Sequence, residues 1–443
     1  MSTLLVSLLV IISIIAIILL TSAVKLKAFV ALFLVSLFLA VTTLPPGQVI
    51  STIKDGFGST MGSIGLLIIL GTMIGVTLDR TGATIRMAEY IVSKTGEKRS
   101  AHALGMTGFL TGLPIFCDSG FIILSGLAKS FSVRSRLPMA FMATLLASSL
   151  YSVHCLIPPH PGALAAAGIM KANIGYLIVT GVLLAIPATI AAFVWSRWIT
   201  RRLGIKETGT VNVPRQTDTR DLPPVLLSFL PVVVPLLLIT VRSLATLFDS
   251  EGLSLFSRLF YFPGDPVIAL SAGAFLSLFL LRKKDTGTLN DVFTEAVEKA
   301  GPILIVTAAG GMFGMVIKAT GTGESLGRLL AGTNIGLVVP FLIAALMKTA
   351  QGSSTVAIIT AASFMEPMLA LLGLDTEWGR LLAMLSMGAG SMVVSHANDS
   401  YFWVVSNFSG IDINTALRVY TPATLIMGLV VFSFIWIISF FVI

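Results

Sequence analysis

GTMIGVTLDRTG at residues 71–82 and GGMFGMVIKATG at residues 310–321 align without a gap, at an offset of 239 residues in a chain of 443. Each copy closes an apolar stretch. Each precedes a segment in which glycine, proline and polar residues interrupt an apolar run, LPIFCDSGFIIL at 113–124 and TAQGSSTVAIIT at 349–360. Two halves of matching hydropathy, with interrupted segments in corresponding places, form the pattern of a secondary transporter whose site lies between repeats. The predicted fold class is an all-α integral membrane protein of two inverted repeats, and the predicted function is a carrier.

Composition agrees with a lipid solvent. Hydrophobic residues make up 55% of the chain and charged residues 11%, against roughly 25% charged in soluble domains. A hydrocarbon core of about 30 Å takes an apolar helix of about 17–25 residues. Ten spans are predicted at 3–20, 28–44, 60–78, 137–168, 174–196, 225–247, 265–281, 301–317, 380–409 and 420–443. The net charge of +8 lies in loops between spans and not in a soluble basic domain, so nucleic acid is not an expected partner. No polar stretch is long enough for a soluble catalytic domain. The longest, about 197–224, reads as a linker over 200–224 between a first repeat (1–199) and a second (225–443). The N-terminus lacks a basic region ahead of its span-length apolar run, so it is predicted to be a retained helix and not a signal peptide. Cys117 and Cys155, the only cysteines, both fall in membrane segments, so neither disulfide nor metal site is expected.

Charge sets the topology. If segments 101–131 and 336–371 are re-entrant hairpins and the N-terminus is outside, 21 of the 29 Lys and Arg residues face the cytoplasm. Such an excess marks the inner side. Making the first hairpin a full crossing would instead put six basic residues of the linker region outside. Five crossings in the first repeat then turn the second upside down, and the two hairpin tips meet near the midplane. Irregular backbone is tolerated at that depth only inside protein or along an aqueous cavity. Both termini are expected on the periplasmic side.

The chemistry-bearing residues cluster in four breaks. At the first tip, Asp118 and Ser119 lie in GLPIFCDSG; a carboxylate in a membrane helix costs about 2.5–3.5 kcal/mol and is rarely there without a role. It is a candidate proton carrier, cation ligand or acceptor for substrate hydroxyls, or a cap on the half-helix that follows. At the second tip, Gly352 and the hydroxyl residues Ser353, Ser354 and Thr355 open a new helix, whose N–H groups and dipole form a natural seat for a carboxylate. Two broken spans follow the hairpins: SVHCLIPPHPGALAAAG at 152–168, with His154, His160 and Gly162, and SHANDSYFW at 395–403, with His396, Asn398, Asp399 and Ser400. Histidines titrate near about 6.5, which suits reversible proton transfer. Asp118, Asp399, His154, His160 and His396 are therefore the proton-coupling candidates. Lys318 and Lys348 are expected to snorkel to the outer interface and are left outside the site.

At PPHPGALAAAG (158–168), QGSSTVAIIT (351–360) and SHANDSYFW (395–403) the chain resembles the bacterial gluconate permease family, the GntP type of a larger ion transporter superfamily, over essentially its whole length. The resemblance implies an inner-membrane carrier with paired re-entrant hairpins, a homodimer working by an elevator mechanism. Its members import gluconate and related sugar acids or small hydroxy acids, usually with protons, and one branch carries D-serine. This sequence departs at FCDSG (116–120), where gluconate carriers tend to have a second aromatic and a glutamate. The smaller Cys117 and the shorter Asp118 leave room for a related sugar acid or polyhydroxy acid. Sodium coupling stays open, because the superfamily also builds sodium sites from hairpin Ser, Asn and Thr clusters. No cofactor is implied. Two rivals come from other classes. An intramembrane enzyme would need a GxSG nucleophile, a GxGD pair or HExxH, and none is present; a passive anion channel would equilibrate its substrate without accumulating it.

Overall fold

A computed structural model describes residues 3–22, 24–95, 100–113, 116–205, 222–248, 261–281, 285–320, 336–396 and 399–442. Most of the expected linker, Pro114 and Ile115 of the first tip, and Asn398 lie outside these residues. Among the described residues every regular element is helical and there is no strand.

The first half runs through α1 (Thr3–Ser22), α2 (Ala28–Thr43), α3 (Pro46–Thr81), α4 (Ala83–Thr95), α5 (Ser100–Gly112), α6 (Cys117–Ser135), α7 (Met139–Leu156), α8 (Pro161–Met170) and α9 (Ile174–Arg202). The second runs through α10 (Val225–Phe248), α11 (Pro266–Leu278), α12 (Thr286–Ala319), α13 (Val338–Gln351), α14 (Ser354–Met365), α15 (Glu377–Met392), α16 (Ser400–Ser409) and α17 (Ile413–Val442). Local chemistry sets these limits. Pro46, Pro161 and Pro266 stand at the first turns of α3, α8 and α11, where a fixed φ helps and the missing N–H costs nothing. Asn173 and Asp265 accept backbone N–H groups at the starts of α9 and α11, satisfying donors that a helix start leaves over. Asp285 does the same for α12, and its bonds to Thr288 hold its carboxyl below the usual range.

Two helices are longer than expected. The predicted spans 60–78 and 301–317 lie within α3, of 36 residues, and α12, of 34 residues. The apolar run fixed only the part in lipid; the polar turns ahead of it, with Gln48, Ser51, Lys54 and Asp55 in α3, contain nothing that stops a helix. These two helices carry the repeated motif and pack along each other. A Cβ on Gly56 would come within 2.6 Å of the Gly311 carbonyl, the close backbone approach that small residues permit between membrane helices. At one end Glu295 of α12 joins Arg80 of α3 and Lys299 in a charged cluster.

Burial runs from the centre outward. Every residue of α7 is buried, as is nearly all of α15. On the periphery large apolar side chains face outward, with Ile190 57% and Phe441 83% exposed. Apolar exposure on this scale marks a lipid-facing surface. Among the described residues, five helices are long and apolar enough to cross a membrane, and a sixth is counted if the two parts of α3, bent by 41°, act together. α2, α11 and α13 are shorter apolar helices. The chain is a multi-pass membrane protein.

Candidate functional site

The helices are broken at four places inside the protein, at the interruptions anticipated from sequence. Between α13 and α14 the chain turns at Gly352, whose φ of +77° is one that a Cβ would disfavour. The Ser353 side chain then caps α14 by accepting from the Val356 N–H at 3.3 Å. The α5–α6 break ends at Phe116 in extended backbone, so that Cys117 and Asp118 form the first turn of α6. Between α7 and α8, Ile157, Pro158, Pro159 and His160 stand outside the helix, because successive prolines cannot continue the donor ladder. Between α15 and α16, Val394 sits at φ +54°, a conformation that costs a β-branched residue about 1–2 kcal/mol. Thr421 and Thr424 of α17 hold that turn by bonding the Ser395 carbonyl and N–H at 2.6 and 3.0 Å.

These breaks surround one cavity of about 590 Å³, within the range of small-molecule sites. Its wall includes Asp118 and Cys117 from α6, Tyr151 and His154 from α7, Ser353, Ser354 and Thr355 at the start of α14, Asp399 and Tyr401 at the α16 start, Pro302 and Val306 of α12, and Lys27 and Phe29 at the start of α2. The α12 part of the wall is apolar, and the α6, α7, α14 and α16 part is polar. The start of α14 brings three hydroxyl residues to the wall together with N–H groups that have no intrahelical carbonyl.

Its two carboxylates differ. Asp399 is 2% exposed and fully engaged: Oδ1 caps α16 through the Tyr401 N–H at 3.0 Å, while Oδ2 accepts from Ser395 Oγ and Lys348 Nζ, both at 2.5 Å. Lys348 is 1% exposed. It also donates to the Gly352 carbonyl at 2.9 Å and lies 5.5 Å from the Tyr151 ring centre. This corrects the expectation that Lys348 snorkels outward. A lysine in the last turn of α13 is drawn to that helix's carbonyl end, and Asp399, 51 residues on, supplies the counter-charge a buried ammonium needs. Asp118, by contrast, is in no ion pair among the described residues, although Lys27 lines the same cavity. Its Oδ1 is buried without a hydrogen-bond partner, and its Oδ2 lies 4.0 Å from Cys117 Sγ.

The histidines of the first broken helix touch each other. His154 Nδ1 and His160 Nδ1 are 3.3 Å apart, His154 Nε2 is 3.2 Å from Thr355 Oγ1, and His160 Nε2 is 2.7 Å from the Gly112 carbonyl. His154 lines the cavity; His160 stands behind it. Gly162 is a packing residue, since a Cβ there would meet Thr355 Cα at 3.0 Å. His396 lies in the α15–α16 turn with a buried, unpartnered Nδ1 and does not line the cavity. The side chains of Ser119 and Ser400 and the whole of Asn398 lie outside the described residues. Among the described residues no cluster suits a metal ion.

The profile of the GntP family of permeases matches residues 5–441, almost the whole chain. The chain belongs to the GntP permease family. It is a permease and not an enzyme. It is 33% identical to an uncharacterised permease of Haemophilus influenzae over 91% of this chain and 86% of that one, and 31% identical to the Gnt-II system L-idonate transporter of Escherichia coli over 90% of each. With the gluconate permease of Pseudomonas aeruginosa it shares 29% identity over 97% of this chain and 96% of that one. The crystal structure of the Alcanivorax borkumensis YdaH transporter, described as having an unusual topology, superposes with a TM-score of 0.60 at 18% identity, over 94% of this chain and 98% of that one. That likeness concerns the fold alone.

Sequence reasoning missed Lys348, Tyr151 and Tyr401 in this GntP permease. Lys348 could have been found: it lies four residues before the glycine of a helix break, in a chain whose other breaks hold two membrane-depth acids. Nothing comparable singled out the tyrosines.

Proposed function

We propose that this permease is a secondary active transporter of the inner membrane that imports a sugar acid or small hydroxy acid together with a proton. One observation carries the proposal: a single cavity joins the N-terminus of a hydroxyl-rich helix, suited to a carboxylate, with one carboxylate held in an ion pair and one in none among the described residues. Asp399 and Lys348 cancel; an ionised Asp118 then puts an unpaired negative charge on the polar wall, where it repels an anionic substrate, while the exposed Lys27 is the remaining cation of the lining. A proton on Asp118 removes that charge and adds a hydroxyl donor. Proton and acid anion therefore enter together, and the loaded site is no more charged than the empty site with Asp118 ionised. The names of relatives that carry gluconate and L-idonate support the substrate class.

Alternating access follows in the same proposal. The halves run through helices of matching order, with short broken pairs at α5–α6 and α13–α14 and broken helices at α7–α8 and α15–α16. We take them as inverted repeats with two re-entrant hairpins, ten crossings and both termini outside. The cavity-bearing core of hairpins and broken helices moves as an elevator against α3 and α12, in a homodimer. Reconstituted protein tests the proposal: an inward pH gradient without sodium should drive saturable accumulation of gluconate or L-idonate. Accumulation that requires sodium would transfer the coupling to that ion, uptake of D-serine alone would change the substrate class, and equilibration without accumulation would indicate a channel.

A further inference from the structure

The His154–His160 pair takes no part in the proton step above, yet it spans the centre of the protein from the end of α5 to the start of α14. The chemistry of its end points fixes its direction. The Gly112 carbonyl can only accept, so His160 Nε2 carries a proton and donates. A neutral imidazole has one N–H, which leaves His160 Nδ1 as an acceptor. The short contact between the two Nδ1 atoms then requires the proton on His154 Nδ1. His154 Nε2 is left with a lone pair, and Thr355 must donate its hydroxyl proton to it. Both rings are buried, at 6% and 3% exposure, and among the described residues neither is bonded to a carboxylate, so nothing offsets a charge on them. Thr355 lines the cavity, but its only proton is spent on the wall.

We propose that this chain of three hydrogen bonds makes Thr355 Oγ1 an obligatory acceptor toward the cavity, so that Thr355 selects a hydroxyl of the substrate and not its carboxylate. The inference rests on the proposed hydroxy-acid substrate and deepens it. Ser353 and the N–H groups at the start of α14 remain for the carboxylate, the Ser354 hydroxyl being shared with Tyr151 and Cys155. Thr355 follows directly along the helix, so it reads a hydroxyl close to that carboxylate, on C2 or C3. His154 and His160 are positioning residues: they touch Thr355 and backbone, and they determine which way its proton points.

Two measurements on the full-length protein test this. Nitrogen-15 NMR of histidine-labelled protein in lipid bilayers, without ligand at neutral pH, reads the tautomers, with assignment by single His→Gln substitutions at each of the four histidines. His154 should carry its proton on Nδ1 and His160 on Nε2; an Nε2 proton on His154, or a doubly protonated ring in the pair, overturns the proposal. The second measurement is competition against gluconate uptake by its 2- and 3-deoxy and deoxyfluoro analogues, fluorine being unable to donate. At the recognised position both analogues should compete about tenfold more weakly than gluconate, the equivalent of one lost hydrogen bond. Thr355→Val should weaken gluconate by about the same factor without weakening those two analogues, Thr355→Ser should restore it, and His160→Phe should erase discrimination against fluorine. A fluoro analogue that competes as well as gluconate at both positions, or a Thr355→Val protein that loses all acids alike, overturns the proposal. If the unaltered protein takes up no sugar acid, the proposed function fails, and the tautomers alone decide the relay.

Discussion

Asp118 and Asp399 each stand at the start of a helix at one cavity, and one is satisfied while the other is not. Asp399 has a lysine, a serine hydroxyl and a backbone N–H on its two oxygens. Asp118 has a buried oxygen with no partner. The difference lies in what each break places alongside. The turn at Gly352 delivers Lys348 to Asp399, whereas the described residues of the α5–α6 break beside Asp118 are a phenylalanine, a cysteine and the start of a helix. A carboxylate held by a buried cation is a fixture, because removing its charge strands the cation. A carboxylate without one can take a proton at no such cost.

Breaking the fixture should have the largest effect. Lys348→Met leaves Asp399 buried and uncompensated, a loss of about 3–5 kcal/mol. Thermal unfolding in detergent should show a large fall in midpoint, and Lys348→Met with Asp399→Asn should recover most of it. If the double variant is no more stable than the single, the two groups do not depend on each other. Asp118→Asn should leave the midpoint close to that of the unaltered protein and act on coupling instead. With one proton per anion, a pH gradient of one unit sustains about tenfold accumulation, and the variant should exchange substrate without accumulating it. Retained accumulation would remove Asp118 from the proton path.

Smaller changes sharpen the contrast between the two sides. Ser353→Ala removes the cap of α14 at about 1 kcal/mol, and it should raise the substrate Kd as well, because the same turn presents the N–H groups. Val394→Gly relieves the positive φ beside Asp399. The gain should reach at most about 1 kcal/mol, the left-handed penalty less the chain entropy of glycine, read as a slightly higher melting midpoint. A lower midpoint would mean that the valine side chain contributes more by packing than its backbone costs.

Much of this arrangement is visible in the bare sequence, and the rest is hidden for definite reasons. Glycine, proline and polar residues within apolar runs located all four breaks, because backbone at that depth has no water to satisfy it. Asp118 and Asp399 stood out through the cost of a carboxylate in such surroundings. Lys348 was misjudged because snorkelling considers one helix at a time, while its partner lies 51 residues away across a second break. The meeting of His154 and His160 depends on the path of the chain through Ile157, Pro158 and Pro159, which residue identities do not specify. The lengths of α3 and α12 escaped for a simpler reason, since hydropathy reports where lipid ends and not where a helix does.

The most direct test of the division between the two acids is the internal pH of proteoliposomes on addition of gluconate, followed with an entrapped dye, for the unaltered protein and for Asp118→Asn. The expected result is acidification with the former and none with the latter, although Asp118→Asn still exchanges labelled gluconate. Acidification by Asp118→Asn at the rate of the unaltered protein would contradict the assignment of the proton to Asp118.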